Sequence, residues 1–391
     1  MSDLLYSETE DDLRAAVRSL LADRAGPRTV LGRIEGPDPY PPGLWEALGG
    51  GIGAAGLLVP EKLGGQGASH REAAVVLEEL GRAVTPAPYL TSAVVATSTL
   101  LALGAERGPV ADLLGALANA ERVAVLAVPF STAPDGHPAG PAPYGSPAPA
   151  GSAGPAVPDG PDGPDGPAVP DGPVPAAPDA VAADVFLVPR ADGLYAVDAS
   201  DAVVTPRSSL DLTRPLADVD PGGAAGTRLA DAGAAREAVR RGLLAGAGLL
   251  ASEQVGLAEW CLEETVRHTR ERHQFNRPVG SFQALKHRMA QLWLELVGAR
   301  AVARAAADAL ATGAGDAALT VAVAQAYCSK AAVRAAEECV QLHGGIGMTW
   351  EHPAHLALKR AKSDAIALGS AGRHQDTLAV LADLPAPAQG R

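Results

Sequence analysis

Cysteine is scarce in this chain, and an excess of positive charge is absent. Only Cys261, Cys328 and Cys339 occur in 391 residues. An odd number at long spacings suggests neither a disulfide framework nor a zinc site, and a reducing cytoplasm is the expected location. Lysine and arginine number 32 against 45 acidic residues, a net charge of −13. That balance argues against a general nucleic-acid binder and for an acidic soluble protein. The start, Met-Ser-Asp-Leu-Leu-Tyr-Ser-Glu, has no basic-then-apolar signal region, and no run approaches an uncharged transmembrane span. Neither export nor membrane insertion is expected. What is present is a hydrophobic content of 47%, enough over this length for a large core and two or three domains.

The first part, residues 1–119, reads as a helical domain. Leu13, Val17, Leu20 and Leu21 recur at helical spacing, and Ala73 to Arg82 forms a second apolar-faced segment. Between them, Pro60-Glu61-Lys62-Leu63-Gly64-Gly65-Gln66-Gly67 is a turn, and Ser69 with Glu72 three residues on predicts a capping box. Residues 120–230 read as a reduced β domain. Val123 to Phe130, Val185 to Val188 and Leu194 to Val197 are short β-favouring runs suited to a small sheet or barrel. Within it, residues 131–178 are dominated by proline, glycine, alanine and aspartate with recurring Pro-Asp-Gly. So little apolar surface cannot offset the entropy of ordering, and the segment is expected to be a disordered insertion.

From 231 to 391 the pattern is helical almost throughout. Segments from Ala234 to Arg272, Phe282 to Thr312 and Ala317 to His343 are long and rich in alanine and leucine, with Leu285, Met289, Leu292, Leu296 and Ala299 marking a buried stripe. Long helices with short connections predict an antiparallel bundle. Arg272 and Arg277 flank Phe275 at the end of the first, and Gln283 opens the second. Such cations are ordinarily solvated helix-end charges. Gln341 and Gly344-Gly345-Ile346-Gly347 close the third helix, where a glycine cluster is ordinarily a C-cap and no preceding strand supplies a dinucleotide fold. Glu351, His352 and His355 could be read as acid-base or metal groups, but no second ligand pair of suitable spacing accompanies them. A helix start at Pro353 with a basic outer face including Arg360 and Lys362 is the plainer expectation.

Taken together, Arg272-x-x-Phe275, Gln283, Gln341, Gly344-Gly345-x-Gly347 and Leu368-Gly369-Ser370 resemble the acyl-CoA dehydrogenase family, as does the Pro60 to Gly67 loop. The resemblance implies a mostly α fold with a small β domain: an N-terminal helical domain, a middle β-barrel and a C-terminal four-helix bundle. It implies FAD as cofactor, with Arg272 and Gln283 reaching the flavin pyrophosphate and Phe275 packing beside it. Gln341 and Gly345 would lie against the adenosine of a neighbouring subunit's FAD, and Ser370 belongs to the segment that borders the flavin. Asn276 stands where the family commonly has glycine, and asparagine tolerates the positive φ such a turn needs. Thr349-Trp350-Glu351-His352 with His355 and Arg360-Ala361-Lys362 is similar to a bacterial subgroup that degrades steroid CoA esters, some members of which are paired, unequal subunits.

The family's catalytic glutamate lies 24 residues after the first glycine of the Gly-Gly-x-Gly run, which here is Leu368; the alternative base position, 26 residues before Arg272, is Gly246. Neither can take a proton from the α carbon of a thioester. Glu253, two turns beyond Gly246, is expected to project elsewhere, and Asp364 to be an exposed helix residue. The middle-domain strand Ala124 to Ser131 also lacks the family's flavin-contacting Thr-Glu-Pro-type motif. Three readings follow. The chain is the base-lacking subunit of a heteromeric acyl-CoA dehydrogenase, a heterotetramer with a glutamate-bearing partner, passing electrons to an electron-transferring flavoprotein. Alternatively it is a self-sufficient flavin-dependent oxidase or oxygenase, or a non-catalytic structural homologue.

Overall fold

The computed structural model describes residues 4–36, 38–104, 108–135 and 172–384. The N-terminal part is built from α1 (Glu8–Arg24), α2 (Pro27–Arg33), α3 (His70–Ala83), α4 (Thr97–Ala102) and α5 (Pro109–Ala118), with π-helical segments at Glu46–Gly51 and Tyr89–Ala96. Both α1 and α3 open with reciprocal capping boxes, Ser7 with Glu10 and Ser69 with Glu72. Each box satisfies amide donors that the first helical turn leaves free.

Two small sheets follow. One has the order β1 (Ala124–Leu126), β3 (Val185–Arg190), β4 (Gly193–Asp198), β7 (Thr227–Asp231); the other has β2 (Val174–Pro178), β6 (Leu216–Asp220), β5 (Val203–Arg207). β1 and β3 pair in parallel and the other neighbours are antiparallel. Alternation explains their unbroken apolar sequence: Ala124, Leu126, Val185 and Leu187 face the main core, whereas Val125, Phe186 and Val188 face the second sheet. The expected insertion reaches too far at its C-terminal end, because Val174 to Pro178 are a strand. Averaged composition hid five residues whose Val174 and Ala177 are buried, and two prolines fit because β2 is an edge strand. The centre of the insertion, residues 136–171, lies outside the described residues.

The C-terminal bundle consists of α6 (Ala232–Glu271), α7 (Gln283–Thr312), α8 (Ala317–His343), α9 (Ala354–Asp364) and α10 (Ala371–Leu381). A two-stranded hairpin, β8 (His273–Gln274) and β9 (Arg277–Pro278), joins α6 to α7. α6 is buried over most of its circumference and packs on α3, α7 and α8. Where α3 crosses α6, the backbones interlock. A Cβ at Gly256 would lie 1.8 Å from Glu78 O, and one at Gly81 would lie 2.0 Å from Glu253 O. Only glycine permits that approach on either side. No helix of the described residues is long and apolar enough to cross a membrane.

Candidate functional site

The two positions at which a base was sought face the same small volume. Gly246 lies mid-way along α6 and Leu368 on the turn between α9 and α10. A Cβ built at Gly246 would stand 3.1 Å from Leu368 Cδ1 and 2.6 Å from Val95 Cγ2. Leu368 is 3% exposed. The cavity beside it is about 20 Å³, walled by Leu90, Val95, Val125, Phe130, Leu243 and Leu368, which is room for roughly one water. Apart from the Thr91 hydroxyl, which donates to Asp179 at 2.9 Å, the wall is apolar; it offers no carboxylate or imidazole base and no space for an acyl chain.

Backbone geometry at this turn is specific even though the side chain is inert. Leu368 has φ +52°, its N–H donates to Phe130 O at 2.7 Å, and its carbonyl accepts from His374 Nε2 at 3.0 Å. A non-glycine residue in the left-handed region costs about 1–2 kcal/mol. The turn therefore stitches the C-terminal bundle to the segment that follows β1, and Leu368 bears strain that its own chemistry does not use. Two residues on, Ser370 caps α10 by accepting from Arg373 N at 3.3 Å.

Asp364 is not where sequence reasoning put it, whereas Glu253 projects away from the cavity beside Leu368, as expected. Asp364 is fully buried rather than exposed, and Glu253, also buried, projects toward it. Arg214, from the loop before β6, bridges the two: its guanidinium donates to Glu253 at 2.6 and 2.7 Å and to Asp364 Oδ1 at 2.6 Å. Arg360 is likewise buried rather than on an outer face, donating to Asp211 Oδ2 at 2.6 Å, Glu253 Oε1 at 2.5 Å and Thr213 O at 2.8 Å. The reason for each miss is the same: the partners lie far away in sequence, so helical pattern alone left the charges to solvent. Three acids share two guanidinium groups. Burial and the neighbouring Glu253 push the Asp364 carboxyl up to about 8, while burial of Glu253 is outweighed by Arg214 and Arg360, which hold it below its ordinary range. Burial and like charge thus favour the neutral form of Asp364 within the set. The set fixes α6 and α9 to the loop before β6.

Arg272, Phe275, Gln283, Gln341 and Gly345 are all exposed. They collect at one end of the bundle, because α6 ends, α7 begins and α8 ends there. The hairpin turn holds Phe275 at φ +52° and Asn276 at φ +58°, the two positive angles that a two-residue type I′ turn demands. Asparagine accepts that geometry readily. Phe275 does so while 85% exposed, its ring edge-on to Phe282 at 6.2 Å. At the end of α8, Gly344 has φ +62°, and Gly344 and Gly345 meet nothing within 4 Å of a built Cβ, so this surface is open.

Folding also brings His352 close to two groups that local spacing did not connect to it. Glu264 on α6 lies 3.7 Å from His343 Nε2 and 3.6 Å from His352 Nε2. Residues 79 and 88 positions from Glu264 in sequence cannot be read as a ligand set by local spacing. His355, by contrast, turns away: its Nε2 lies 3.1 Å from Trp350 O and its ring stacks on Trp350.

Comparison with known proteins agrees with this architecture. The family models described as acyl-CoA dehydrogenase, N-terminal domain, and acyl-CoA dehydrogenase, C-terminal domain, match residues 7–108 and 236–380. The chain is 35% identical over 368 residues to the acyl-CoA dehydrogenase IpdE2 of Mycolicibacterium smegmatis, covering 93% of this chain and 95% of that protein. It is 34% identical to the protein of the same name from Mycobacterium tuberculosis, covering 93% and 94%. Among solved structures, the ChsE4-ChsE5 complex of Mycobacterium tuberculosis superposes with a TM-score of 0.78 at 25% identity, covering 98% of this chain and 100% of that one. Butyryl-CoA dehydrogenase of Megasphaera elsdenii shares the fold, with a TM-score of 0.79 at 18% identity, covering 97% and 100%. The helical, sheet and helical layout, and both matched domains, make this chain a member of the acyl-CoA dehydrogenase family, whose enzymes use FAD.

Proposed function

We propose that this chain is the base-lacking subunit of a heteromeric acyl-CoA dehydrogenase, working with a partner that carries the catalytic glutamate. The observation that carries the reading is the filled base site: Gly246 and Leu368 close on each other and on Val95, leaving about 20 Å³. Bound FAD would supply the hydride acceptor for α,β-dehydrogenation of a thioester. The residues at the bundle end fit its phosphates. Arg272 would grip the pyrophosphate, since a guanidinium fork matches two phosphate oxygens at once. Gln283 would donate beside it, and Gln341 with the open Gly344–Gly345 surface would receive the adenosine. The residues around Leu368 do not fit the reacting end, because apolar side chains occupy that volume and Ser370 is engaged as a helix cap.

One half of a site at an exposed bundle end, with the other half blocked, is what a shared site predicts. The partner would furnish the acyl pocket and the glutamate that removes the α proton, and an electron-transferring flavoprotein would take the electrons. The outer face of α7 exposes Trp293, Leu294 and Val297, apolar surface suited to an assembly. The likeness to a two-component complex, ChsE4-ChsE5, supports the same reading. The substrate would be an acyl-CoA thioester, steroid-derived as in the subgroup this chain resembles.

The test is purification with and without a glutamate-bearing homologue, reading flavin absorption and assembly mass. Flavin retained only in the mixed assembly, and lost again with Arg272→Ala, is the expected result. A yellow homo-oligomer of this chain alone would overturn the proposal and favour an independent flavin oxidase or oxygenase.

A further inference from the structure

The cluster around His343 is separate from the filled base site and borders the open glycine surface, and it has the chemistry of a metal centre. His343 closes α8 with its side chain fully buried. Its Nδ1 lies 2.6 Å from Cys339 O, so that nitrogen carries the proton and donates to the carbonyl. Its Nε2 is buried and, among the described residues, has no hydrogen-bond partner. A backbone carbonyl that fixes the tautomer and leaves Nε2 free is the usual outer support of a metal-bound histidine. Facing that nitrogen are Glu264 Oε1 at 3.7 Å and, beyond it, His352 Nε2, itself 3.6 Å from the same oxygen. All three ligand atoms lie within 4.8 Å of one another. Ligands of a tetrahedral zinc at ordinary bond lengths stand about 3.4 Å apart, so a modest contraction closes the set.

We infer that Glu264, His343 and His352 form a binding site for a divalent first-row transition metal of the zinc type, with the remaining coordination open to solvent. Two imidazoles and one carboxylate suit such ions better than magnesium or calcium, which prefer all-oxygen shells. Glu264 and His352 are each partly exposed, 15% and 12% at the side chain, which leaves a path for the ion. Two local rearrangements accompany binding. Arg267, which pairs with Glu264, also reaches Glu271 at 2.8 Å and can stay there alone. His352 accepts from Ala354 N at 3.2 Å through Nδ1, so metal binding at Nε2 shifts its proton to Nδ1 and gives up that hydrogen bond.

The consequence would be a clamp. Glu264 belongs to α6, His343 to α8 and His352 to the segment after Gly344–Gly347, so the ion would tie both helices to the stretch that carries the open glycines. This holds whether or not the chain shares a flavin with a partner.

The experiment is calorimetric titration of the chelator-treated full-length chain with Zn²⁺ at pH 7.5, beside His352→Gln, Glu264→Gln and the exposed-site control His287→Gln. One saturable site at micromolar affinity or tighter is expected, unchanged in the control. Each ligand variant should weaken it by at least ~100-fold, since even outer-shell changes cost about 10–100-fold. Wild-type Tm should rise with Zn²⁺ and that of His352→Gln should not. Should a variant fail to fold, Co²⁺ added to the wild-type chain gives the independent reading, a visible ligand-field band displaced by Zn²⁺. Absence of a saturable site in the wild type, or wild-type Zn²⁺ affinity in both ligand variants, would overturn the inference.

Discussion

Leu368→Glu puts a carboxyl back at the family's base position, and its cost reports whether that site is closed. The new side chain would face Gly246, Val95, Leu243 and Phe130, with no cation touching the cavity. Charge in such surroundings is strongly disfavoured, and buried glutamates of this kind reach a pKa of about 8–9, against about 4.3 unfolded. A folded-state pKa raised above the unfolded one means that stability is lost as pH climbs toward the folded value. Between pH 6.0 and 7.5 the unfolded chain is ionised and the folded one is still protonated, so each pH unit costs about 1.4 kcal/mol. The destabilisation relative to wild type should therefore grow by ~2 kcal/mol over that interval, on top of a pH-independent loss of ~2 kcal/mol for the buried leucine. Urea unfolding of both proteins at the two pH values measures this, and working above the sequence pI of 5.2 keeps the chain soluble. A pH-dependent increment below ~0.5 kcal/mol would mean that the carboxylate reaches water. The site would then be open, and the argument for a base-lacking subunit would lose its main support.

Three other outcomes follow from the packing. Gly256→Ala should destabilise by ~3 kcal/mol or more, because its Cβ would enter the Glu78 carbonyl, whereas Gly32→Ala, with nothing within 4 Å, should stabilise by ~0.5–1 kcal/mol; denaturant midpoints compare the pair. Arg360→Met leaves Asp211 and Glu253 short of a cation and should cost ~3–5 kcal/mol in the same assay. Asp364, with its carboxyl raised to about 8, contributes stability present below the unfolded value and lost as pH rises through the folded one. Asp364→Asn should flatten the fall in Tm between pH 6 and 8, and an unchanged slope would show that Asp364 is ionised throughout.

Much of the scaffold was legible because it is local. Alanine- and leucine-rich periodicity marked α6, α7 and α8, Ser69 with Glu72 marked the start of α3, and Asn276 marked a turn needing positive φ. Each is decided by residues a few positions apart. What escaped depends on partners brought together only by folding. Arg214 meets residues 39 and 150 positions away, so nothing near Glu253 or Asp364 in sequence announces that either is buried and paired. Glu264, His343 and His352 escaped for the same reason. β2 escaped for a different one, since five ordered residues at the edge of a biased segment do not alter its average composition.

The base positions carry a constraint that neither shows alone. Gly246 and Leu368 border one volume, so the occupant of one limits the other: a side chain at 246 would first meet Val95 Cγ2 at 2.6 Å and then Leu368. Position 368, in contrast, already has its backbone fixed by Phe130 and His374 in a left-handed conformation. A carboxylate introduced there would stand in the family's location with no rearrangement of the main chain, but within dry apolar walls that keep it protonated. A general base works best with a pKa near the operating pH, and walls that lift a carboxyl to about 8–9 leave it mostly protonated at pH 7, so side-chain identity at 368 is only part of what separates this chain from a self-sufficient dehydrogenase. The walls at Val95, Phe130 and Leu243 are the other part, and they belong to three different segments of the chain.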